Sequence, residues 1–132
     1  MKTIAILPMI GAITEGGAAM PEPMPSQQER IRRLNDLLRT SLVSGRVMLT
    51  IGVQAMSDDQ RTRLLEVVRT FDDFTPANDP YGEHDFSRVE VGDCGYFFKI
   101  DYYDLDLCHQ SPGPADVTVT TRVMTIMRED EY

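Results

Sequence analysis

The stretch Phe71-Asp72-Asp73-Phe74-Thr75-Pro76-Ala77-Asn78-Asp79-Pro80-Tyr81-Gly82-Glu83-His84-Asp85-Phe86 divides this chain. Pro76 and Pro80 remove backbone donors, and Gly82 admits turns that other residues resist, so no helix or strand runs through it. A loop of this length inside a small domain is usually functional or a linker. It holds five acids (Asp72, Asp73, Asp79, Glu83 and Asp85) together with His84, and no lysine or arginine. Any fold for the chain must place a long acidic loop between two regular halves.

The half before the loop reads as helix, strand, helix. Ser26 and Glu29 fit a capping box, and Ile31, Leu34, Leu37 and Leu38 then repeat at three and four. Arg30, Arg32, Arg33 and Arg39 fall mainly off that stripe, and Gly45 ends it, which predicts a helix near 27–42. Val47, Leu49, Ile51 and Val53 alternate with Met48, Thr50 and Gly52, which predicts a strand near 46–53. Ser57-Asp58-Asp59-Gln60 is a second cap, and Leu64, Leu65, Val67, Val68 and Phe71 supply the buried face of a helix near 57–71.

The half after the loop reads mainly as strand. Val89 and Val91 share one face of a strand near 87–91. Gly92-Asp93-Cys94-Gly95 is a turn by composition, leading into a strand near 95–103 and closing a hairpin. In that second strand Tyr96, Phe98, Ile100 and Tyr102 face one way, and Phe97, Lys99, Asp101 and Tyr103 the other. Ser111-Pro112-Gly113-Pro114 breaks the chain. Val117 to Thr121 has strand propensity, but Val119, Val123, Ile126 and Met127 repeat at four and three over a longer run, which selects a helix near 116–128. The expected fold is α+β: a small antiparallel sheet of about three strands packed with about three helices, in one domain over residues 26–132.

Residues 1–25 read as a flexible extension. Lys2 to Pro8 could form a short strand, and Pro21, Pro23 and Pro25 a stiff connector. The apolar run from Thr3 to Ile13 is too short to span a membrane, and its one preceding base and Pro8 argue against a signal peptide. Two cysteines, Cys94 and Cys108, are too few for a disulfide framework and read as free thiols in a reducing, cytoplasmic setting.

Charge narrows the function classes. The net charge is −8, and it is unevenly placed: residues 1–70 hold seven acids and nine bases, residues 71–132 fourteen acids and four bases. An acidic half of this kind disfavours direct nucleic-acid binding and suits a basic protein partner, a metal ion, or mimicry of nucleic-acid charge. The candidate partner-binding surface interleaves Asp72, Asp73, Asp79, Glu83, Asp85, Asp101 and Asp104 with Tyr81, Tyr102 and Tyr103, since tyrosine is large, rigid and amphipathic and acids steer a basic partner.

The alternative chemistry is a divalent metal ion held by His84, Asp85, Asp101 and Asp104, with Glu83, His84 and Asp85 as the catalytic acids and bases of a hydrolase or nuclease. In an extended segment, though, Glu83 and Asp85 point away from His84, so a turn is needed to gather them. Neither a metal-binding motif nor a phosphate loop is present, and Cys108 beside His109 is badly placed for nucleophilic attack.

The runs Asn78-Asp79-Pro80-Tyr81-Gly82-Glu83-His84-Asp85-Phe86, Lys99-Ile100-Asp101-Tyr102-Tyr103-Asp104 and Arg122-Val123-Met124-Thr125-Ile126-Met127, with the terminal Glu131-Tyr132, resemble a family of small bacterial proteins catalogued as a domain of unknown function. The resemblance runs from about residue 29 to the C-terminus. It implies a setting on plasmids and other mobile elements of alphaproteobacteria, and with it antagonism of host defence or plasmid upkeep. It carries no activity over. The expected function is therefore that of a small acidic binding protein that engages a basic host protein. A defence nuclease or a DNA-binding factor would be its target, in the manner of an anti-restriction or anti-CRISPR inhibitor, with no cofactor.

Overall fold

The structure, a computed structural model, describes residues 24–132. The strand expected at Lys2 to Pro8 and nearly all of the expected extension lie outside those residues. Helix α1 (Gln27–Ser41) begins at the capping box, with the Ser26 hydroxyl accepting from the Glu29 amide and the Glu29 carboxylate accepting from the Ser26 amide. Helix α3 (Asp58–Thr70) begins with a simpler cap, the Ser57 hydroxyl accepting from the Gln60 amide at 3.2 Å, with Asp58 and Asp59 in its first turn.

Between them, strand β1 (Arg46–Leu49) is shorter than expected and gives way to a one-turn helix, α2 (Ile51–Gln54). The cause is local. Glu131 accepts from the Thr50 hydroxyl at 2.6 Å and from the Gly52 amide at 2.8 Å; the Thr50 amide still reaches the Ile126 carbonyl of β4 at 3.2 Å, and the Gly52 amide goes to Glu131 instead of continuing the ladder. Val53, expected on a strand, reaches the core from α2 instead.

Strands β2 (Phe86–Val91) and β3 (Cys94–Tyr103) form the expected hairpin, with Val91 opposite Cys94 and Gly92 at φ +62° in the two-residue turn. The last segment departs from expectation. It is strand β4 (Thr121–Arg128), not a helix. It sits inside the sheet, parallel to β1 and antiparallel to β3, so the sheet is mixed, has four strands and runs β1-β4-β3-β2. Arg122, Met124 and Ile126 alternate inward. Arg122 is a buried arginine, and reading it as a surface residue hides the period of two.

The domain has two layers. Helices α1 and α3 lie over β4 and β2 on one face of the sheet. Leu38, Leu64 and Val68 from the helices meet Val89, Tyr96, Phe98, Ile100, Met124 and Ile126 from the strands. On the opposite face a short 3₁₀ turn (Glu129–Glu131) brings Tyr132 onto Phe86 and Phe97. Among the described residues no helix is long and apolar enough to cross a membrane.

Candidate functional site

The acidic loop is held against α1. Gln28 donates to the Tyr81 carbonyl, and Arg32 to the Gly82 carbonyl at 3.2 Å. Asn35 donates to the Glu83 carbonyl at 2.9 Å. Asp36 lies 2.8 Å from Nδ1 of His84. These four side chains come from successive turns of one helix face and meet successive residues of the loop, so the contact works as a row of latches.

Asn35 is also the centre of a buried network. It is fully buried, and its Nδ2 donates to the Tyr102 hydroxyl at 2.7 Å while its Oδ1 accepts from Arg122 Nε at 2.9 Å. The Tyr102 hydroxyl in turn donates to Glu83 Oε1 at 2.7 Å. Burial, followed by the Glu83 carboxylate beside it, drives the Tyr102 pKa well above the ordinary phenol value, so this hydroxyl stays a donor. Arg122 completes the set: its guanidinium lies 5.1 Å over the Tyr102 ring and donates to the Pro114 carbonyl. Burial lowers its pKa, and the nearby Tyr102 and Glu83 oppose that shift. A guanidinium titrates so far above neutrality that it remains charged.

His84 takes φ +57°, a conformation that is costly for a residue with a side chain. The surroundings enforce it. Its amide donates to both oxygens of the Asp79 carboxylate, at 3.2 and 3.3 Å. Its ring stacks on Phe74 at 3.8 Å and 7° and sits between Asp36 and Asp79, whose Oδ2 is 3.7 Å from Nε2. Phe74 is itself packed edge-on to Phe71 and Phe98, so the loop is anchored into the core through this stack. Arg39 closes the group beneath it, bonding Asp36 at 2.9 Å and lying 5.2 Å over the Phe74 ring.

The expected site residues therefore divide. Asp79, Glu83 and Tyr102 point inward and hold the loop. Asp104 ties down a turn, accepting from the Cys108 and His109 amides, and the first of these bonds lowers its pKa. Asp85, Asp101, Tyr102 and Tyr103 line a groove of about 170 Å³ with Gln110 and Ser111. Asp72, Asp73 and Tyr81 point outward, and their side chains make no hydrogen bond or ion pair among the described residues.

The acid–base trio and the proposed metal ligands are not gathered. His84 lies between Asp36 and Asp79, Asp101 lies 3.6 Å from Lys99, and Asp104 is engaged by its own turn. Among the described residues no group of three His, Cys, Asp or Glu side chains is arranged to hold a metal ion. Cys94 and Cys108 are free and exposed.

Asp85 is the one acid here whose environment opposes its charge. Burial raises its pKa, the charges of Glu83, Asp79 and Asp101 add to that, and no cation lies within ion-pair distance among the described residues. A carboxyl raised in the folded state is protonated there over a window where the unfolded chain has already ionised. Stability is then lost as pH rises through that window. Asp85→Asn is expected to raise the melting midpoint at neutral pH, with the gain vanishing as pH falls through the ordinary carboxylate range. Paired thermal melts across pH check it, and an unchanged or lowered midpoint at neutral pH contradicts it.

The α1 partners Gln28, Asn35, Asp36 and Arg39, and the buried Arg122, are absent from the residues expected from sequence. One signal was available: Asn35 lies four residues after Ile31 and three before Leu38, on the buried stripe of the helix. Residues 49–131, which span the loop and strands β2 to β4, match a family model described as Protein of unknown function (DUF3768). No curated protein and no solved structure matches the chain.

Proposed function

We propose that this chain, which belongs to the DUF3768 family of proteins of unknown function, is a small acidic binding protein that works by contact with a basic protein partner. One observation carries the reading. The loop is fixed by α1, yet Asp72, Asp73 and Tyr81 on that loop are exposed and unengaged among the described residues. A fixed loop presents its charges without a large ordering cost on binding. Acids around an exposed tyrosine steer a cationic surface and give it a flat ring to meet. Asp85 extends the acidic surface toward the groove. A carboxylate kept where its charge costs stability is a candidate functional group.

A surface of this sign repels phosphate and attracts proteins that bind phosphate. The partner we infer is a nuclease or DNA-binding factor in the cytoplasm. The mobile-element setting implied by the sequence resemblance favours a host defence enzyme as the target.

The test is affinity capture from a bacterial lysate with the native chain and with a variant carrying Asp72→Lys, Asp73→Lys and Tyr81→Ala. The native chain is expected to retain a basic nucleic-acid-binding protein that added duplex DNA displaces, and the variant to lose it. The same proteins retained by both, or retention indifferent to DNA, overturns the reading.

A further inference from the structure

The inward face of the sheet is covered by helices α1 and α3, and among the described residues no helix covers the outward face. Strand register places Phe86, Phe97, Val123 and Met127 on that face, with Met48 on β1 and Tyr132 folded across one end. Met48 and Tyr132 are more than half exposed, at 54% and 72%. Met127 is buried, and the apolar groups flank a polar centre of Lys99, Asp101 and Thr125, so the face is mixed in the way of an interface with charges at its middle.

We propose that this face joins a second copy of the same chain in a two-fold dimer. The charges on the page choose that occupant. The chain carries −8 overall, so two copies repel each other wherever the acids dominate. On this face the charges balance: Arg46, Arg88 and Lys99 against Glu90, Asp101 and Glu129. Arg88 already bonds Glu129 and Glu90 at 2.8 Å, which holds both carboxylates of the β2 side in place.

On β3, Lys99 and Asp101 stand side by side, 3.6 Å apart, at the centre of the sheet. An isologous interface requires a patch complementary to itself. A two-fold axis passing between these two positions sets Lys99 of each copy against Asp101 of the other. The neighbouring Val123 and Thr125, opposite Asp101 and Lys99 on β4, then pack between the sheets. Two sheets packed this way lie about 10 Å apart with strand directions within about 30°. Asp101, which also lines the groove, is taken up by the dimer, whereas Asp72, Asp73 and Tyr81 lie on the loop outside the strand face and are not used by it.

Sedimentation equilibrium of the full chain, from low micromolar upward, tests the assignment. The expected result is a concentration-dependent species of twice the 14.9 kDa chain mass. Lys99→Glu places like charges across the axis and is expected to weaken the dimer roughly tenfold or more. Combining Lys99→Glu with Asp101→Lys restores the alternation and is expected to recover it. Circular dichroism at low concentration confirms that each variant is folded, so loss of the dimer is not loss of the domain. A chain that stays monomeric throughout overturns the proposal and leaves the face to another occupant. A dimer that ignores both the single and the double substitution overturns it too, by placing the interface elsewhere.

Discussion

Asn35→Ala is expected to cost about 3 kcal/mol, the typical consequence of stranding buried polar and charged groups. Three groups lose a partner at once: the Glu83 carbonyl, the Tyr102 hydroxyl and the Arg122 guanidinium. The cost to Arg122 is the largest, because it is buried and its charge has few acceptors within reach. For a domain of this size the melting midpoint is expected to fall by roughly 10 °C. Asn35→Leu separates the cause from simple loss of volume. Leucine fills the space but supplies neither donor nor acceptor, so it is expected to fare no better than alanine. Recovery of stability in Asn35→Leu, measured by urea unfolding, would show that packing and not the hydrogen-bond network holds this junction.

Arg39→Ala is expected to be comparably severe, again about 3 kcal/mol. The guanidinium is buried beneath the loop and reaches the Val68, Arg69 and Phe71 carbonyls at 3.2, 3.4 and 2.7 Å. Those carbonyls close the C-terminal end of α3, where a cation also meets the negative end of the helix dipole. The same group bonds Asp36 and lies over Phe74 and Phe98, so its loss loosens α3 and the loop together. Arg39→Lys is expected to lose at least about 1 kcal/mol, because a single ammonium cannot reproduce the planar fork. Chemical unfolding of the three proteins gives the ordering native, lysine, alanine. A lysine variant as stable as the native chain would contradict the assigned geometry.

Where local chemistry is decisive, the sequence was a faithful guide. The two caps at Ser26 and Ser57 set the starts of α1 and α3, and the alternation from Tyr96 to Tyr102 set the inward face of β3. The acidic loop and β3 meet through Tyr102 and Glu83 and through the Ile100 amide and the Asp85 carbonyl.

The failures share one cause: polar residues that the tertiary structure buries. Asn35 and Arg39 are buried on α1 while Leu37 is 51% exposed, so the true buried stripe is rotated from the hydrophobic one. Arg122 is buried in β4, and counting it as polar let a helical period appear over a strand. The β1 ladder stops after Thr50 because Glu131, some eighty positions away, takes the Gly52 amide and the Thr50 hydroxyl. The acids of the loop looked alike in sequence. Asp79 faces inward onto the His84 amide and Glu83 onto the Tyr102 hydroxyl, while Asp72 and Asp73 find no such donor among the described residues. Most of these pairings are not local, so no short window of sequence contains them.

Helix α1 fixes the loop and so fixes its outward acids. Amide hydrogen exchange read residue by residue tests this most directly at Asp79, Gly82 and His84, whose amides bond within the loop. The account predicts exchange slowed by about tenfold or more relative to an unstructured chain. It also predicts that Asn35→Ala abolishes much of that protection while the β3 amides stay slow. If the three loop amides of the native chain exchange as fast as an unstructured peptide, the loop is not fixed, and the account of a preformed acidic surface is wrong.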